Sequence, residues 1–413
     1  YGGVALPLFL ILLFLSQWLT KQGVSSEHRN IFLLATGLGT TLFPYGIMFV
    51  GHATAGGFVF LGCWLLKKAM ESDAPVFKNA LLAGFVTSFA VLLEYHALLA
   101  VLCVALWCLR SVHRKRVVPG FALGSLSGLG LFSVLHWSMF GHPLKTGHSF
   151  LMTAHNRKYQ GRGFMGIEGL DFDALGAHLF DPYMGLVPVM PWLLIAFLLG
   201  VRAVWASPTG TSLVSMNRAL VSVVAIYILF VASLGPYRAM NGWSIGPRYL
   251  VPALFPMSAI AAIGWWHCVR EGSTRLFGLC AGLAAASVIT VSALTVVFPQ
   301  PPNSVASPFG ELALPMLLQG WGVRNMGMYV GLGSGSLWVF AGLIGVVVVR
   351  ILWVPSTSSV SKVVLWQARG LAITSFLLWV TVLAHHHPTK NATLLKAQDF
   401  VRERVEGVSP DVP

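Results

Sequence analysis

The sequence predicts an all-α protein, a polytopic bundle of about 10 to 12 transmembrane helices with extracytoplasmic loops that form a cap. Of its 413 residues, 56% are hydrophobic and only 10% are charged, and the mean hydropathy is +0.74. A soluble domain of this length carries more charge, so the composition indicates an integral membrane protein. The second observation is that apolar runs recur along nearly the whole chain, separated by short polar segments.

Nine of these runs are long enough to cross a bilayer as a helix, which takes about 20 residues. They cover residues 2–19, 31–50, 118–140, 184–205, 219–236, 248–269, 276–298, 328–349 and 364–384. Three shorter runs, 53–66, 79–93 and 97–109, are interpreted as tilted spans or as hairpins that do not fully cross. Taking all runs as spans gives twelve, and a re-entrant pair at 79–109 gives ten.

The basic residues predict the topology. One set of loops (21–30, 67–78, 110–117, 202–218, 270–275 and 350–369) holds 16 of the 27 Lys and Arg residues but only four acidic residues. Cytoplasmic loops carry such an excess, so we expect this set inside the cell, with Arg110, Arg114, Lys115 and Arg116 as its strongest marker. The net charge of +13 is therefore a topology signal, and we predict no nucleic-acid partner. Tyr1 then lies outside the cytoplasm, and we expect a further span and loop upstream of it.

The opposite set of segments is longer and defines the domain organisation. Residues 1–384 form the transmembrane domain, with extracytoplasmic loops at 141–183, 237–247 and 299–327, and residues 385–413 form an extracytoplasmic tail. The Pro- and Gly-rich segment 299–327 is interpreted as an ordered cap. The tail from Asn391 to Glu406 alternates apolar and charged positions, which is typical of an amphipathic interfacial helix.

Neither the cysteines nor the glycines form a cofactor motif. The five cysteines lie in apolar runs without a CxxC pair, so we expect neither a disulfide framework nor a zinc site. Gly124 and Gly128 have the GxxxG spacing of closely packed membrane helices. The glycines of GLGSGS at 331–336 follow no strand, so close helix packing is expected there too, not a dinucleotide loop.

Three ionisable side chains near the outer margin of the membrane are candidates for function. Glu94 and His96 interrupt two apolar runs, and His52 lies at an outside turn between two others. Such groups are unfavourable beside lipid unless they face a cavity or one another, so we predict that they line a pocket. A structural Glu94–His96 pair is the alternative. The run His385 to His387 is interpreted as an interfacial anchor, in preference to a metal site.

The 141–183 loop combines both signs of charge. Its basic residues suit a phosphate headgroup, since Arg and Lys stay charged beside a membrane. Its acidic residues suit a general base or a metal ligand, but their spacing matches no metal motif, so we predict no metal site. The residues are Lys145, His148, His155, Arg157, Lys158, Arg162, Glu168, Asp171, Asp173 and Asp181.

Arg248 follows Gly-Pro at the start of an apolar run, and a bilayer helix rarely admits a cation. Pro247 fixes the chain where it enters the helix, and a helix N-terminus favours an anion. We therefore predict that Arg248 binds a lipid-linked phosphate. The alternatives are a snorkelling arginine and a pair with Asp181. Neighbouring pocket candidates are Tyr237, Arg238, Trp243 and Tyr249.

Five segments, taken in order, carry a resemblance to a known family. They are TGLGTTLFPYGIMFVGHATAGG (36–57), GFVTSFAVLLEYHALLA (84–100), FGHPLKTGHSF (140–150), GFMGIEGLDFDALGAHLFDPYMGLVPVMP (163–191) and NGWSIGPRYLVPALFP (241–256). Together they resemble bacterial polytopic proteins of the GT-C glycosyltransferase superfamily, the group related to protein O-mannosyltransferases and the lipid A aminoarabinose transferase. The resemblance covers roughly residues 1–384, with departures from the family form at His142 and His148.

The resemblance implies a helical protein of the bacterial inner membrane that transfers a sugar from a polyprenyl-phosphate donor to an acceptor on the extracytoplasmic face. It implies donor-phosphate contacts from Arg248, Lys145 and His148, and catalytic acids in a loop upstream of Tyr1. The resemblance implies no particular cofactor, although it is compatible with a divalent cation. Membrane lipids and the lipid-linked sugar are the expected partners.

A non-catalytic membrane subunit of a larger complex is the alternative function. A transporter or channel is disfavoured, since the sequence shows neither internal repeats nor a chain of acids through the membrane centre.

Overall fold

The computed structural model describes residues 3–71, 75–150, 167, 169–183, 185–208, 211–234, 243–333, 335–353 and 361–405. These residues form the following helices: α1 Ala5–Lys21, α2 Ser26–Leu38, α3 Leu42–Ile47, α4 His52–Met70, α5 Val76–Leu93, α6 Leu98–Cys108, α7 Arg114–Phe140, α8 Phe172–Phe180, α9 Leu186–Val189, α10 Pro191–Ala206, α11 Ser212–Ala232, α12 Leu254–Arg270, α13 Thr274–Val297, α14 Leu314–Leu318, α15 Met326–Tyr329, α16 Gly335–Leu352, α17 Lys362–His385 and α18 Asn391–Val405. The prediction of an all-α polytopic bundle is confirmed.

Seven of the described helices are long and apolar enough to cross a membrane. They are α5, α7, α11, α13, α16, α17 and the continuous segment Arg248–Arg270 that contains α12. Four apolar helices are shorter, namely α1, α10, Tyr95–Cys108 and Pro308–Leu318. An integral membrane protein follows from these apolar helices, whereas the number of actual crossings stays a prediction.

The predicted span at 31–50 is wrong as a single helix. It divides into α2 and α3, which are separated at Gly39 to Thr41. Thr40 lies at the break, where its hydroxyl donates to the Thr36 carbonyl at 2.6 Å and accepts from the Leu42 amide at 3.2 Å. Local side-chain bonds of this kind compete with continued helix.

Two helices form the centre of the bundle and two lie at its edge. Within an 18-residue apolar stretch of each membrane-length segment, 83% of the residues are buried in the segments that contain α12 and α13, against 22% in α16 and α17. Apolar residues on the edge helices, such as Trp338 and Leu378, are exposed. Those faces are therefore the surfaces that suit contact with lipid.

Contacts assign the polar segments to two ends of the bundle. At the basic end, Ser212 donates to Glu71 at 2.7 Å and Arg350 pairs with Glu27 at 2.6 Å. All four residues belong to the loops that the charge pattern placed inside the cell. Which end faces the cytoplasm stays a prediction, and the side of Tyr1 lies outside the described residues.

At the opposite end, here called the cap end, the segments 141–150, 169–183, 243–247, 299–327 and 385–405 come together. Tyr183 donates to the Pro301 carbonyl at 2.6 Å, and Trp243 packs edge-on against Phe400 of α18, with ring centroids 4.9 Å apart. These contacts join the long polar segments that the sequence grouped together, and the tail is helical from Asn391 to Val405, as predicted.

Glycines let α5 and α7 pack closely, as the GxxxG spacing predicted. A Cβ atom at Gly124 would lie 1.9 Å from the Leu81 carbonyl oxygen, and one at Gly128 would lie 2.1 Å from the Ser88 hydroxyl. The expectation for the 331–336 segment is wrong. Gly331 and Gly333 have left-handed φ angles of 90° and 53° with nothing close by, so they form a turn before α16.

Gly124 and Gly130 of α7 form a matched pair for testing this packing. A Cβ atom at Gly130 would meet open space, whereas one at Gly124 would meet backbone. Overpacking costs about 1–3 kcal/mol, while alanine at an open helix position gains up to about 1 kcal/mol over glycine. We expect Gly124→Ala to lower the thermal unfolding midpoint of the detergent-purified protein and Gly130→Ala to maintain or raise it. Equal midpoints for the two variants would contradict the packing.

Candidate functional site

Polar side chains gather at the cap end, where six helical segments meet inside the bundle. These segments are α3, the start of α4, the end of α5, the 3₁₀ turn Tyr95–Ala97, the last turns of α11 and the 3₁₀ turn Arg248–Ala253 that precedes α12. We call the group the polar cluster. It consists of Tyr45, His52, Glu94, His96, Tyr227, Arg248 and Tyr249.

The backbone near Gly51 brings His52 and Glu94 together. A Cβ atom at Gly51 would lie 2.7 Å from the Leu93 carbonyl oxygen, so only glycine lets the start of α4 approach the end of α5 this closely. Glu94 leaves the helix in an extended conformation, and its carbonyl then accepts from the Ala97 amide at 2.9 Å. This turn places His96, two residues after Glu94, on the same side of the chain as the Glu94 carboxylate.

Glu94 lies between the two histidines. Its Oε1 atom is 2.6 Å from His52 Nδ1, and its Oε2 atom is 3.6 Å from His96 Nδ1. The three side chains are only 11%, 15% and 10% exposed, in the order His52, Glu94, His96. The predicted grouping of these residues is therefore present, but the shorter contact joins Glu94 to His52, where the sequence had suggested His96.

Aromatic rings surround the histidines. The His96 ring stacks on Phe230 at 5.2 Å and meets Tyr227 and Tyr249 edge-on, each at 5.6 Å. The Tyr227 side chain is fully buried, and its hydroxyl has no hydrogen-bond partner among the described residues. A buried hydroxyl without a partner is unfavourable unless something else satisfies it. Tyr227 also lies close enough to Glu94 to interact with it electrostatically.

Arg248 points into this cluster. Gly246 adopts a left-handed φ of 68° and packs on Thr41, which directs Pro247 and Arg248 into the bundle. The guanidinium donates to the Tyr249 hydroxyl at 3.2 Å and lies 5.0 Å from the centre of that ring. It also interacts electrostatically with Tyr45 and Glu94. A half-buried cation is thus held next to a carboxylate, inside the protein.

Other predicted site residues lie apart from the cluster in the described part of the chain. The Lys145 ammonium lies 4.6 Å from the centre of the Phe150 ring on the surface. Trp243 holds the tail helix through Phe400. The Asp181 carboxylate accepts from the Tyr183 amide at 2.8 Å, which stabilises a local turn. The His148 side chain, Tyr237 and Arg238 lie outside the described residues, as do His155, Arg157, Lys158, Arg162 and Glu168.

Two further residues of the 141–183 loop have structural roles. Asp171 caps α8, where its carboxylate accepts from the Asp173 amide at 2.8 Å and from the Ala174 amide at 3.3 Å. His178 is buried in the same helix, and its Nδ1 atom lies 2.8 Å from the Ala174 carbonyl. Burial lowers the pKa of His178, an effect that this carbonyl and Asp181 partly oppose.

Glu311 is a buried carboxyl group that the sequence did not single out. Its oxygens accept from the amides of Ala306, Ser307 and Thr389, at 3.2, 3.0 and 2.6 Å, and from the Thr389 hydroxyl at 2.6 Å. The sequence did contain one indication of this role, because Ser307 lies four residues before Glu311. That spacing is one longer than a capping box, and the π-helical turn Pro308–Ala313 accommodates the extra residue.

A cleft of about 520 Å³ lies at the basic end, away from the polar cluster. Arg110 and Arg218 are among its lining residues, and Trp107 donates to the Ser215 hydroxyl there at 2.6 Å. This cleft is therefore distinct from the pocket that the sequence predicted around Arg248.

Fold and site together define a polytopic helical membrane protein with a buried cluster of charged and aromatic side chains at one end. Compared with known proteins, the chain matches no protein-family model, no curated protein and no solved structure. The resemblance to the GT-C superfamily thus rests on the sequence segments alone.

Glu311 offers a test of how the cap is held. Glu311→Ala removes a carboxyl group that joins the 299–327 segment to Thr389, and hydrogen bonds to charged groups contribute about 1.5–3 kcal/mol each. We expect a lower unfolding midpoint and faster limited proteolysis between α17 and α18. Asp399→Ala, at an exposed carboxylate on α18, is the matched control and should behave as the wild type. Identical digestion of the two variants would exclude this role of Glu311.

Proposed function

We propose that this chain is a membrane glycosyltransferase that uses a polyprenyl-phosphate sugar as donor and acts at the extracytoplasmic face. The observation that carries the proposal is Arg248, which is fixed at the start of a central helical segment and is directed into a cluster of polar side chains. The sequence resemblance to the GT-C superfamily supplies the class of reaction.

The chemistry of the donor explains why an arginine directed into the bundle is useful. When the sugar leaves its carrier, negative charge collects on the phosphate oxygens, and a positioned cation stabilises that charge. A guanidinium keeps its proton in such surroundings and can donate two parallel hydrogen bonds to a phosphate. Its attraction for the anion is stronger where the guanidinium is partly withdrawn from water, as the half-buried Arg248 is.

The position of Arg248 also suits a ligand that arrives from the membrane. The apolar segment Arg248–Arg270 is of membrane-spanning length, and Arg248 is its first residue. A phosphate at the head of a long isoprenoid chain lies at this depth, while its tail remains in the lipid. Tyr45 and Tyr249 beside the guanidinium are hydroxyl donors of the kind that bind sugars and phosphates.

Binding of undecaprenyl phosphate by the detergent-purified protein tests the role of Arg248. A hydrogen bond to a charged group contributes about 1.5–3 kcal/mol, so Arg248→Gln should weaken binding roughly 10- to 100-fold. Quenching of tryptophan fluorescence during titration provides the dissociation constant. In membrane vesicles, Arg248→Ala should abolish sugar transfer while membrane insertion stays intact.

Arg402→Gln is the matched control, because Arg402 lies at the same end and donates to Gln319 at 2.7 Å on the surface. It should bind undecaprenyl phosphate as the wild type does. Unchanged affinity in Arg248→Gln would remove Arg248 from the mechanism. A wild-type protein that binds the lipid phosphate but never consumes a lipid-linked sugar would favour the alternative function, a non-catalytic subunit.

A further inference from the structure

The geometry points to a binding site for a divalent metal ion such as zinc. His52, Glu94 and His96 form this site. Each of the three side chains offers one ligand atom, and these atoms all lie within 4.8 Å of one another. Two imidazoles and a carboxylate form a common set of protein ligands in catalytic zinc sites, which keep a fourth position open. The metal site is inferred from this geometry alone and does not require that the protein transfers a sugar.

The distances suit a metal ion with small adjustments. Ligand atoms about 2.0–2.1 Å from a tetrahedral ion lie roughly 3.3 Å apart. The separation between Glu94 Oε2 and His96 Nδ1, 3.6 Å, is already close to this value, and the separation between Glu94 Oε1 and His52 Nδ1, 2.6 Å, has to widen by less than an ångström. The remaining pair of ligand atoms lies within 4.8 Å, so it has to close by at most about 1.5 Å. The terminal torsions of glutamate and histidine are soft enough to allow such a change.

The residues around the three ligands suit a preorganised metal-binding site. Phe230, Tyr227 and Tyr249 enclose the His96 ring, while Tyr45 meets the His52 ring edge-on at 5.5 Å. Rings packed in this way hold the imidazoles in fixed orientations, as a metal site requires. The buried Tyr227 hydroxyl, which has no partner among the described residues, is a second and independent indication of a ligand. A water or anion on the fourth position of the metal is such a partner.

The charges around the site predict which kind of ligand binds at the fourth coordination position of the metal. The Glu94 carboxylate and the Arg248 guanidinium cancel, so a divalent ion brings two uncompensated positive charges into a site that is mostly shielded from water. Such a site attracts an oxyanion, which the metal and the guanidinium can share. The identity of that anion as a lipid phosphate rests on the proposed function, whereas the metal site does not.

Cobalt(II) is the probe, because four-coordinate cobalt absorbs visible light much more strongly than six-coordinate cobalt. Consecutive exposed imidazoles can compete for cobalt, so the experiment uses a background variant in which His385, His386 and His387 are all alanine. The full chain is purified without a histidine tag, stripped with EDTA and titrated with cobalt. We expect one equivalent per chain with the intense four-coordinate bands, and we expect zinc to displace it.

Glu94→Gln and His96→Ala, each in the background variant, remove one ligand and should weaken cobalt binding at least tenfold. His142→Ala removes an exposed histidine at the same end and should leave the bands unchanged. Gel filtration and the unfolding midpoint, measured without metal, show whether each variant is folded, and His52→Asn replaces any variant that is not. The site is overturned if the background variant shows no intense bands or if they persist in a folded Glu94→Gln protein.

Inorganic phosphate and undecaprenyl phosphate are then added separately to the cobalt-loaded protein. A spectral shift with both shows that the fourth position takes a phosphate oxygen from either source. A shift with undecaprenyl phosphate alone assigns the lipid. If neither phosphate shifts the spectrum, the inference that an anion binds at the fourth coordination position is wrong, even where the titration has established the metal site.

Discussion

The contact between Glu94 and His52 is the constraint on which the cap end of the bundle depends. A carboxylate at this depth is unfavourable unless it is paired, and the 2.6 Å contact with His52 pairs it. To make this contact, α4 has to begin beside the end of α5, which Gly51 allows. The same meeting point determines where the chain turns into Tyr95–Ala97 and therefore where His96 lies.

Arg248 adds the balancing charge from a different part of the chain. Its helical segment begins with a 3₁₀ turn, because Pro252 has no amide hydrogen to donate to the Arg248 carbonyl. Gly246 and Pro247 bring the side chain inward at that point. A carboxylate just after α5 and a guanidinium in the turn before α12 thus interact electrostatically inside the protein, and each makes burial of the other less costly.

Much of the fold could be predicted from the sequence, because the bilayer imposes a simple requirement for apolar length. The Lys and Arg residues also grouped the loops correctly, as Glu27 with Arg350 and Glu71 with Ser212 illustrate. The break after α2 was missed, since the local hydrogen bonds of Thr40 at that point leave the hydropathy unchanged. The turn at Gly331 and Gly333 was missed too, since glycine suits a left-handed backbone as well as it suits close helix packing.

The charged residues of the site could be predicted from the sequence, but their arrangement in space could not. His52, Glu94 and Arg248 each stand out because polar groups are rare in apolar runs. Tyr45 and Tyr227 do not stand out, since tyrosine is an ordinary residue of membrane helices, and only the fold turns them toward the charges. The pairing also needs tertiary information, because His52 and Glu94 are 42 positions apart and meet only when α4 and α5 pack.

Part of the polar cluster lies at the start of one of the two most buried segments of the bundle. An 18-residue apolar stretch of the segment that contains α12 is 83% buried, and the half-buried Arg248 and Tyr249 lie at the beginning of that segment. The edge helices α16 and α17 expose most of their surface and can adapt to lipid without disturbing the centre. A site held within fractions of an ångström belongs on packed elements of this kind. The separation of a fixed polar centre from an adaptable apolar edge is what a protein needs when its ligand has a charged head and a long hydrocarbon tail.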